Sequence, residues 1–161
     1  MRLGRSRPAV GLPAPEATKV SVIMAAYQHE DFVAEAVASV LAQSHDNLEL
    51  IVVDDGSADR TPQIVAGFSD PRLQLVELPR NRIKHARNLG LSLATGELVA
   101  FQNSDDVWAE SKLSKQVAPL VREWADAILF VNFVTRLAEK DSGRMRGVGG
   151  KERALFTAHT A

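Results

Sequence analysis

Short runs of consecutive apolar residues alternate along the chain with segments in which apolar residues recur every three or four positions. The first pattern is typical of strands that are buried on both faces, and the second is typical of amphipathic helices. This repeated order of strand and helix predicts an α/β domain in which a doubly wound, mostly parallel sheet lies between two layers of helices. In such sheets, ligands bind outside the carboxyl ends of the strands.

The apolar runs predict five strands, at Val20–Ala25, Leu48–Val53, Leu73–Leu78, Leu98–Phe101 and Ala127–Val131. The third run alternates apolar and polar residues, so we expect that strand to be half exposed. Four connecting helices are predicted from the residues at their ends. The first should have Asp31 as its N-cap, and the second should have Thr61 as its N-cap and Pro62 in its first turn. The third is predicted at Arg82–Ala94 with Gly96 as a left-handed cap behind it, and the fourth at about Glu110–Glu123, where Pro119 should bend or shorten it. The first helix should bury one apolar stripe, formed by Phe32, Val33, Ala36, Val37, Val40 and Leu41.

The chain has 161 residues, of which 45% are hydrophobic, and this is enough for one core but not for two domains. We expect a disordered, proline-interrupted leader at residues 1–18, one domain at residues 19–138 and a flexible, glycine-rich tail at residues 139–161. The net charge of −1 argues against nucleic acid as a partner. The sequence contains no cysteine for a disulfide and no apolar run near the roughly 18 residues of a membrane span.

Two adjacent acids, Asp105 and Asp106, follow the fourth predicted strand and should lie at the carboxyl edge of the sheet. Carboxylate oxygens are hard ligands that suit Mg²⁺ or Mn²⁺ holding a diphosphate. The alternative is that the two acids form an N-cap pair for the next helix. Trp108 is most simply a hydrophobic anchor that fixes this acidic loop.

A second acidic segment, Asp54-Asp55-Gly56-Ser57, follows the second strand. It is either a plain turn or a place where a carboxylate accepts hydrogen bonds from a nucleobase or ribose. The sequence contains neither of the glycine-rich phosphate-binding motifs, GxGxxG or GxxxxGK[ST], so phosphate must be held by a cation and a guanidinium instead. A basic cluster could supply the guanidinium as a diphosphate clamp, or could be a solvated helix face: Arg80, Arg82, Lys84 and Arg87.

Three further residue types have possible chemical roles. Tyr27, the only tyrosine, could stack on a base at the end of the first strand, although a lone aromatic is more often a core residue. His29 and His85 belong to no set of His, Asp and Glu with metal-ligand spacing, so we expect neither to be catalytic. Ser57 is not in a G-x-S-x-G motif, which argues against a hydrolase.

Taken together, these segments closely resemble the inverting nucleotide-sugar glycosyltransferases of the family-2 type, over about Lys19 to Val134. The motifs that carry the resemblance are VSVIMAAYQHEDF, VVDDGSADRT, HARNLG and FQNSDDVW. The resemblance implies a Rossmann-like domain of the GT-A type and a role in polysaccharide biosynthesis of the cell envelope. It also implies site residues: Ala25, Tyr27 and Asp55 at the nucleoside, Arg87 near the diphosphate, Ser104 among the substrate contacts, and Asp105 with help from Asp106 at a divalent Mg²⁺ or Mn²⁺.

Three features depart from that family pattern. Asn103 occupies the position where many relatives have the first acid of an Asp-x-Asp site, and Ala25 replaces a residue that is commonly proline. The usual glycine before Ala86 is missing. Relatives also continue well beyond this length, so we expect the chain to be cut short at its C-terminus and to lack the acceptor site and the carboxylate base.

The expected partner is therefore a nucleoside-diphosphate sugar, a UDP-sugar above all, with an unidentified saccharide, lipid or protein as acceptor. The alternatives from other classes are a non-catalytic nucleotide-binding or regulatory remnant and a nucleotidyltransferase. We expect a cytoplasmic location, with contact to the inner membrane face through partners. A missing C-terminal half would leave apolar surface uncovered, which predicts self-association.

Overall fold

In the computed structural model of the protein, the described residues are 14–79, 83–122 and 134–136. They begin with a short 3₁₀ helix at Pro15–Ala17, at the end of the predicted leader. The elements that follow are β1 (Val20–Ala26), α1 (Val33–Leu41), β2 (Leu48–Asp54), α2 (Thr61–Ala66), β3 (Leu73–Glu77), α3 (Ile83–Leu93), β4 (Leu98–Asn103), α4 (Lys112–Arg122) and β5 (Val134–Arg136). The predicted domain boundaries at residues 18 and 138 stay predictions.

The strands form one sheet in the order β3-β2-β1-β4-β5, in which β1 to β4 are parallel and β5 runs antiparallel to β4. The chain passes outward from β1 to β2 and β3, and then returns to place β4 on the other side of β1. The boundary between β1 and β4 is therefore the topological switch point, where open α/β sheets bind their ligands. Ala25 pairs with Val53 on one side and with Asn103 on the other, so the carboxyl ends of these three strands are level.

Helices cover both faces of the sheet, which confirms the predicted three-layer αβα arrangement. On one face, α1, α2 and α4 bury a large cluster against β1, β2 and β4. On the other face, α3 packs against a smaller cluster: Ile23, Ile51, Val53, Ala86, Ala94 and Val99. The edge strand β3 is the half-exposed strand that its alternating sequence predicts.

The four described strand predictions are confirmed, with small changes at their ends. The strand β4 extends two residues beyond the predicted end, because the polar Gln102 and Asn103 still pair with Met24 and Ala25 of β1. The predicted strand at 127–131 lies outside the described residues. In α4, Pro119 lies inside the helix, which continues to Arg122.

The predicted starts of α1 and α2 are each wrong by one residue. The N-cap of α1 is Phe32 rather than Asp31, and Phe32 is 54% exposed instead of joining the buried stripe. The N-cap of α2 is Arg60, and Thr61 is the first helical residue. The side chain of Thr61 is used elsewhere, because its Oγ1 accepts a hydrogen bond from the backbone of His29.

Gly96 is needed for close packing and not for the predicted left-handed cap. Among the described glycines, Gly56 is the one with a positive φ, at 79°. A Cβ at Gly96 would lie 2.6 Å from the carbonyl oxygen of Lys19 and 2.8 Å from the backbone nitrogen of Ser21. The chain entering β4 therefore passes too close to β1 for any side chain at this position.

Candidate functional site

The site is built from the loops that leave β1, β2 and β4 at the switch point. The β2–α2 loop is shaped by Asp54, which is 2% exposed. Its carboxylate accepts hydrogen bonds from the backbone of Gly56 at 3.1 Å and of Ser57 at 2.9 Å, and from the Ser57 hydroxyl. Asp54 thus performs the turn-forming role that was one of the two interpretations of this segment.

Asp55, the predicted nucleoside contact, is completely buried in the same loop. Its backbone N–H donates to the carbonyl oxygen of Ala26 over 2.9 Å. This bond continues the pairing of β1 with β2 and holds the start of the loop against the first strand. Asp55 therefore lies beneath the carboxyl edge, in contrast to the exposed acids that follow β4.

The β1–α1 loop is docked on the β2–α2 loop by three backbone donors. Gln28 has a left-handed φ of 52°, a conformation that is uncommon for a residue with a side chain. Its N–H donates to Ser57 Oγ at 2.9 Å, and the next two N–H groups donate to the side chains of Thr61 and Asp59. Tyr27, immediately before this turn, is half-buried. The nucleoside end of the predicted site is thus held by side chains that follow β2.

Ser104 joins the β1 end of the site to the β4 end. It is 2% exposed, and its hydroxyl donates to the carbonyl oxygen of Ala25 at 3.1 Å. The same Oγ lies 2.7 Å from Nδ1 of His29. The structure therefore brings together Ala25 and Ser104, two of the predicted substrate contacts, by a direct hydrogen bond. It also adds His29, which no pattern in the sequence connects with either residue.

A chain of hydrogen bonds links the predicted diphosphate contact to the acidic loop. Arg87, exposed on α3, donates from an Nη atom to Asn103 Oδ1 at 3.2 Å. Asn103 in turn donates from Nδ2 to Asp106 Oδ2 at 2.8 Å. Asp105 is also exposed, and its carboxylate has no hydrogen-bond or salt-bridge partner within the described part of the chain.

The acidic loop is anchored from below by Ser39 near the end of α1 and by Gln43 just after it. The backbone N–H of Trp108 donates to the buried Ser39 Oγ at 3.1 Å, and the Gln43 amide bonds both the Ala109 carbonyl at 2.8 Å and the Leu113 N–H at 2.9 Å. The ring of Trp108 is 8% exposed and belongs to the large core cluster. Trp108 is thus the hydrophobic anchor that its sequence position suggested.

Lys112 covers the outer face of this anchor. Its Nζ lies 4.4 Å from the centroid of the Trp108 ring, a cation–π geometry. Burial of the ammonium group lowers the pKa of Lys112 to about 8.

The remaining basic residues of the predicted clamp are only partly described. Arg80 and Arg82 lie outside the described residues, whereas Lys84 and Arg87 lie on α3. Arg87 contacts Asn103, the residue that directly precedes Ser104 and the acidic loop.

Asp105 and Asp106 are the residues that could hold a metal ion. The described residues contain no group of three or more His, Cys, Asp or Glu with metal-binding geometry. Two exposed carboxylates nevertheless suit Mg²⁺ or Mn²⁺, since such ions are usually bound by one or two carboxylates together with substrate phosphates. The donor set fits a cation that arrives with a diphosphate better than one held by the protein alone.

Comparison with known proteins identifies the family of the domain that carries this site. The family model described as "Glycosyl transferase family 2" matches residues 21–159, which is most of the chain. The chain belongs to glycosyl transferase family 2. The predicted resemblance is therefore confirmed, and the loops that leave β1, β2 and β4 are parts of a family-2 domain.

Several curated relatives match this chain at similar levels of sequence identity. The succinoglycan biosynthesis protein ExoO of Rhizobium meliloti is 41% identical over 99 residues, covering 61% of this chain and 28% of that protein. The Bacillus subtilis protein named "Putative teichuronic acid biosynthesis glycosyltransferase TuaG" is 44% identical over 101 residues, which cover 61% of this chain and 40% of that protein. The Escherichia coli glucosyltransferase WfgD, whose name gives UDP-Glc as donor, is 38% identical over 104 residues, 64% and 41% of the two chains.

Solved structures of similar sequence have the same fold. The S. aureus protein TarS 1–349 in complex with UDP superimposes with a TM-score of 0.60 at 34% identity, covering 63% of this chain and 32% of that chain. The Pyrobaculum calidifontis mannosyltransferase PcManGT in complex with GDP-Man and Mn²⁺ gives a TM-score of 0.62 at 33% identity, covering 73% and 37%. These neighbours confirm the predicted Rossmann-like GT-A fold class. The chain spans between 28% and 41% of the length of the three curated relatives.

Proposed function

We propose that this chain is the donor-binding part of a glycosyltransferase that binds a nucleoside-diphosphate sugar, most favourably a UDP-sugar, with Mg²⁺ or Mn²⁺. The observation that carries the proposal is the exposed acid pair Asp105–Asp106, which stands at the switch point of a family-2 domain and is linked through Asn103 to Arg87. Similar proteins solved with UDP and with GDP-Man and Mn²⁺ support this choice of ligand.

In this proposal the ligand lies across the carboxyl ends of β1 and β4. The nucleoside is held at Ala25, Tyr27 and Asp55, of which Asp55 is buried and needs a local opening of its surroundings to reach a base. Arg87 offers a guanidinium to the diphosphate oxygens, a pairing that is often bidentate. Ser104 fixes the start of the acidic loop against β1.

Asp105 and Asp106 are the proposed ligands of the metal ion. When bound, a divalent cation would offset the negative charge that develops on the departing diphosphate. Asp105 is the better placed of the two, because Asp106 already accepts a hydrogen bond from Asn103. Both acids are exposed, so a ligand can reach them without rearrangement of the core.

The proposed reaction is a single displacement with inversion at the anomeric carbon. A base takes the proton of an acceptor hydroxyl, the hydroxyl oxygen bonds to the anomeric carbon, and the bond from that carbon to the diphosphate oxygen breaks. We propose that the base, a carboxylate, and the acceptor site lie outside this donor half, because the chain covers less than half of its curated relatives.

Three further expectations stay predictions: the acceptor, the cytoplasmic location with partner-mediated contact to the inner membrane face, and self-association. Within the described residues, no helix has the length and apolar character needed to cross a bilayer.

Calorimetry of the 161-residue chain with UDP, with and without Mn²⁺, tests the proposal. We expect binding with the metal present, and a loss of more than about tenfold in affinity, about 1.4 kcal/mol, when the metal is omitted or Asp105 is changed to Asn. The matched control is Asp46→Asn, which removes an exposed acid just before β2, at the opposite edge of the sheet. If neither UDP nor GDP binds with Mn²⁺ and neither raises the melting temperature, the domain is a non-catalytic remnant instead.

A further inference from the structure

His29 hydrogen-bonds both to the first residue of α2 and to the loop that follows β4. Its backbone N–H donates to Thr61 Oγ1 at 2.9 Å, and its ring Nδ1 lies 2.7 Å from Ser104 Oγ. Ser104 directly precedes the acid pair, and His29 follows the nucleoside residue Tyr27 by two positions. One residue, through its backbone and its ring, therefore connects the two ends of the proposed donor site.

The hydrogen bonds around Ser104 indicate which ring nitrogen of His29 carries the proton. A serine hydroxyl has one hydrogen, and the Ala25 carbonyl, 3.1 Å away, can only accept. When this hydrogen is directed at Ala25, the Ser104 oxygen is left to accept from Nδ1 of His29. In that arrangement Nδ1 of His29 is the protonated nitrogen, and in the neutral ring Nε2 is the unprotonated one.

The surroundings of the ring hold this arrangement in place. Phe32 contacts the imidazole edge to face, with the ring centroids 6.1 Å apart and the planes at 88°. Ser104 is 2% exposed, so water has little access to compete for its hydroxyl. Within the described residues no group hydrogen-bonds to Nε2, and this atom is not among the buried unpaired ones, so it reaches solvent at the half-buried side of the ring.

We infer that His29 is a positioning residue for donor binding, which holds the Ser104 end of the acidic loop against the nucleoside end of β1 through its Nδ1–H. The inference rests on the proposed function for the identity of the ligand, but not for the protonation state of the ring. Loss of this donor would leave the Ser104 hydroxyl bonded to Ala25 alone, so the carboxylates would be held less firmly and would have to be ordered further each time a diphosphate binds. That ordering lowers the affinity for the nucleotide and leaves the core unchanged.

Two substitutions separate the donor at Nδ1 from the bulk of the ring. In His29→Asn the amide nitrogen stands close to the position of Nδ1 and can still donate to Ser104, whereas in His29→Gln it extends toward the position of Nε2. We expect His29→Asn to bind UDP with Mn²⁺ within about twofold of the unmodified chain, and His29→Gln to bind about five- to tenfold more weakly. We also expect Ser104→Ala to cause a smaller loss in His29→Gln than in the unmodified chain, because one of the two hydrogen bonds of Ser104 is already absent there.

A spectroscopic measurement tests the same inference without any ligand or variant. Nitrogen-15 NMR of the neutral imidazole in the unmodified chain should give a protonated Nδ1 and an unprotonated Nε2. A ring protonated at Nε2 instead would overturn the inference. So would equal UDP affinities of the unmodified chain and His29→Gln. If the unmodified chain binds no nucleotide at all, the proposed function fails, whereas the NMR result still decides the role of His29 at Ser104.

Discussion

Asn103 donates a hydrogen bond from Nδ2 to Asp106 Oδ2 over 2.8 Å, and its Oδ1 accepts one from Arg87 at 3.2 Å. A neutral amide can bridge a guanidinium and a carboxylate in this way because it has both a donor and an acceptor. An aspartate at this position could accept from Arg87 but could not donate to Asp106. The residue that departs from the expected acid therefore holds the acidic loop in place before any cation is present.

The first prediction concerns the change Asn103→Asp. The new carboxylate would stand beside Asp106 without the bridging hydrogen bond, so the metal-free protein should lose about 0.5–1.5 kcal/mol of unfolding free energy. The added oxygen ligand should strengthen the binding of Mn²⁺ in the presence of UDP. Calorimetric titration of Mn²⁺ with UDP present measures the second effect. Asn103→Leu is the matched control, since it removes the bridge without adding charge, and an Asn103→Asp affinity no higher than that of the control would contradict the prediction.

The second prediction concerns acid stability and Glu49, at the opposite edge of the sheet from the site. Burial alone would raise the pKa of Glu49, but hydrogen bonds from Lys19, Ser21 and Thr95 outweigh that effect and lower the pKa from 4.5 to about 2. Because the pKa is lower in the folded state, the folded state gains stability above pH 4.5. That gain is lost as the pH falls from 4.5 toward 2.

Changing Glu49 to Gln should therefore lower the unfolding free energy at pH 6, by about 1–3 kcal/mol once solvent screening is allowed for. It should also flatten the fall of stability between pH 4.5 and pH 2. Denaturant unfolding at a series of pH values measures both effects. Glu35→Gln removes an exposed acid from α1 and serves as the control. An acid transition identical to that of the unmodified chain would argue against the role of Glu49.

The third prediction concerns the contact of α3 with the sheet at Gly90. A Cβ at this position would lie 2.5 Å from Cγ2 of the buried Ile23 and 3.5 Å from Cγ2 of Val53. Overpacking of this kind costs about 1–3 kcal/mol, of which the better helix propensity of alanine recovers less than about 1 kcal/mol. We expect Gly90→Ala to lower the melting temperature in a thermal scan. Ser92→Ala, at an exposed position of the same helix, should change stability by less than about 0.5 kcal/mol. Equal melting temperatures for the two variants would contradict the prediction.

The fourth prediction concerns the cation above Trp108. Because burial lowers the pKa of Lys112 to about 8, the ammonium group should lose its proton near pH 8 in the folded state. With Trp124 replaced by Phe, the emission of Trp108 should change with a midpoint close to that pH. The same titration of Lys112→Met should show no such step. Since the folded pKa is below the usual 10.5, the contribution of Lys112 to stability should rise between pH 8 and pH 10.5.

The patterns that depend on near neighbours in the chain were read correctly from the sequence. The four described strands, the buried stripe of α1 from Val33 to Val40 and the half-exposed β3 all follow from the spacing of apolar residues. The exposure of Asp105 and Asp106 just beyond β4 was equally predictable, because the parallel sheet order fixes which ends of the strands face the ligand. Helix ends were less well predicted, because Thr61 and its neighbours make their hydrogen bonds across loops.

The sequence by itself determined the layered α/β fold, the edge of the sheet that forms the site and the family to which its motifs belong. Only the tertiary structure decided that Asp54 shapes a turn while Asp55 is buried, that Gly96 serves close packing, and that Asn103 and His29 link separate loops. The physical reason is the distance along the chain between the residues that interact. Apolar periodicity is a local property that repeats every few residues, whereas the bond from His29 to Ser104 joins positions 75 residues apart and exists only once the register of β1 and β4 is set.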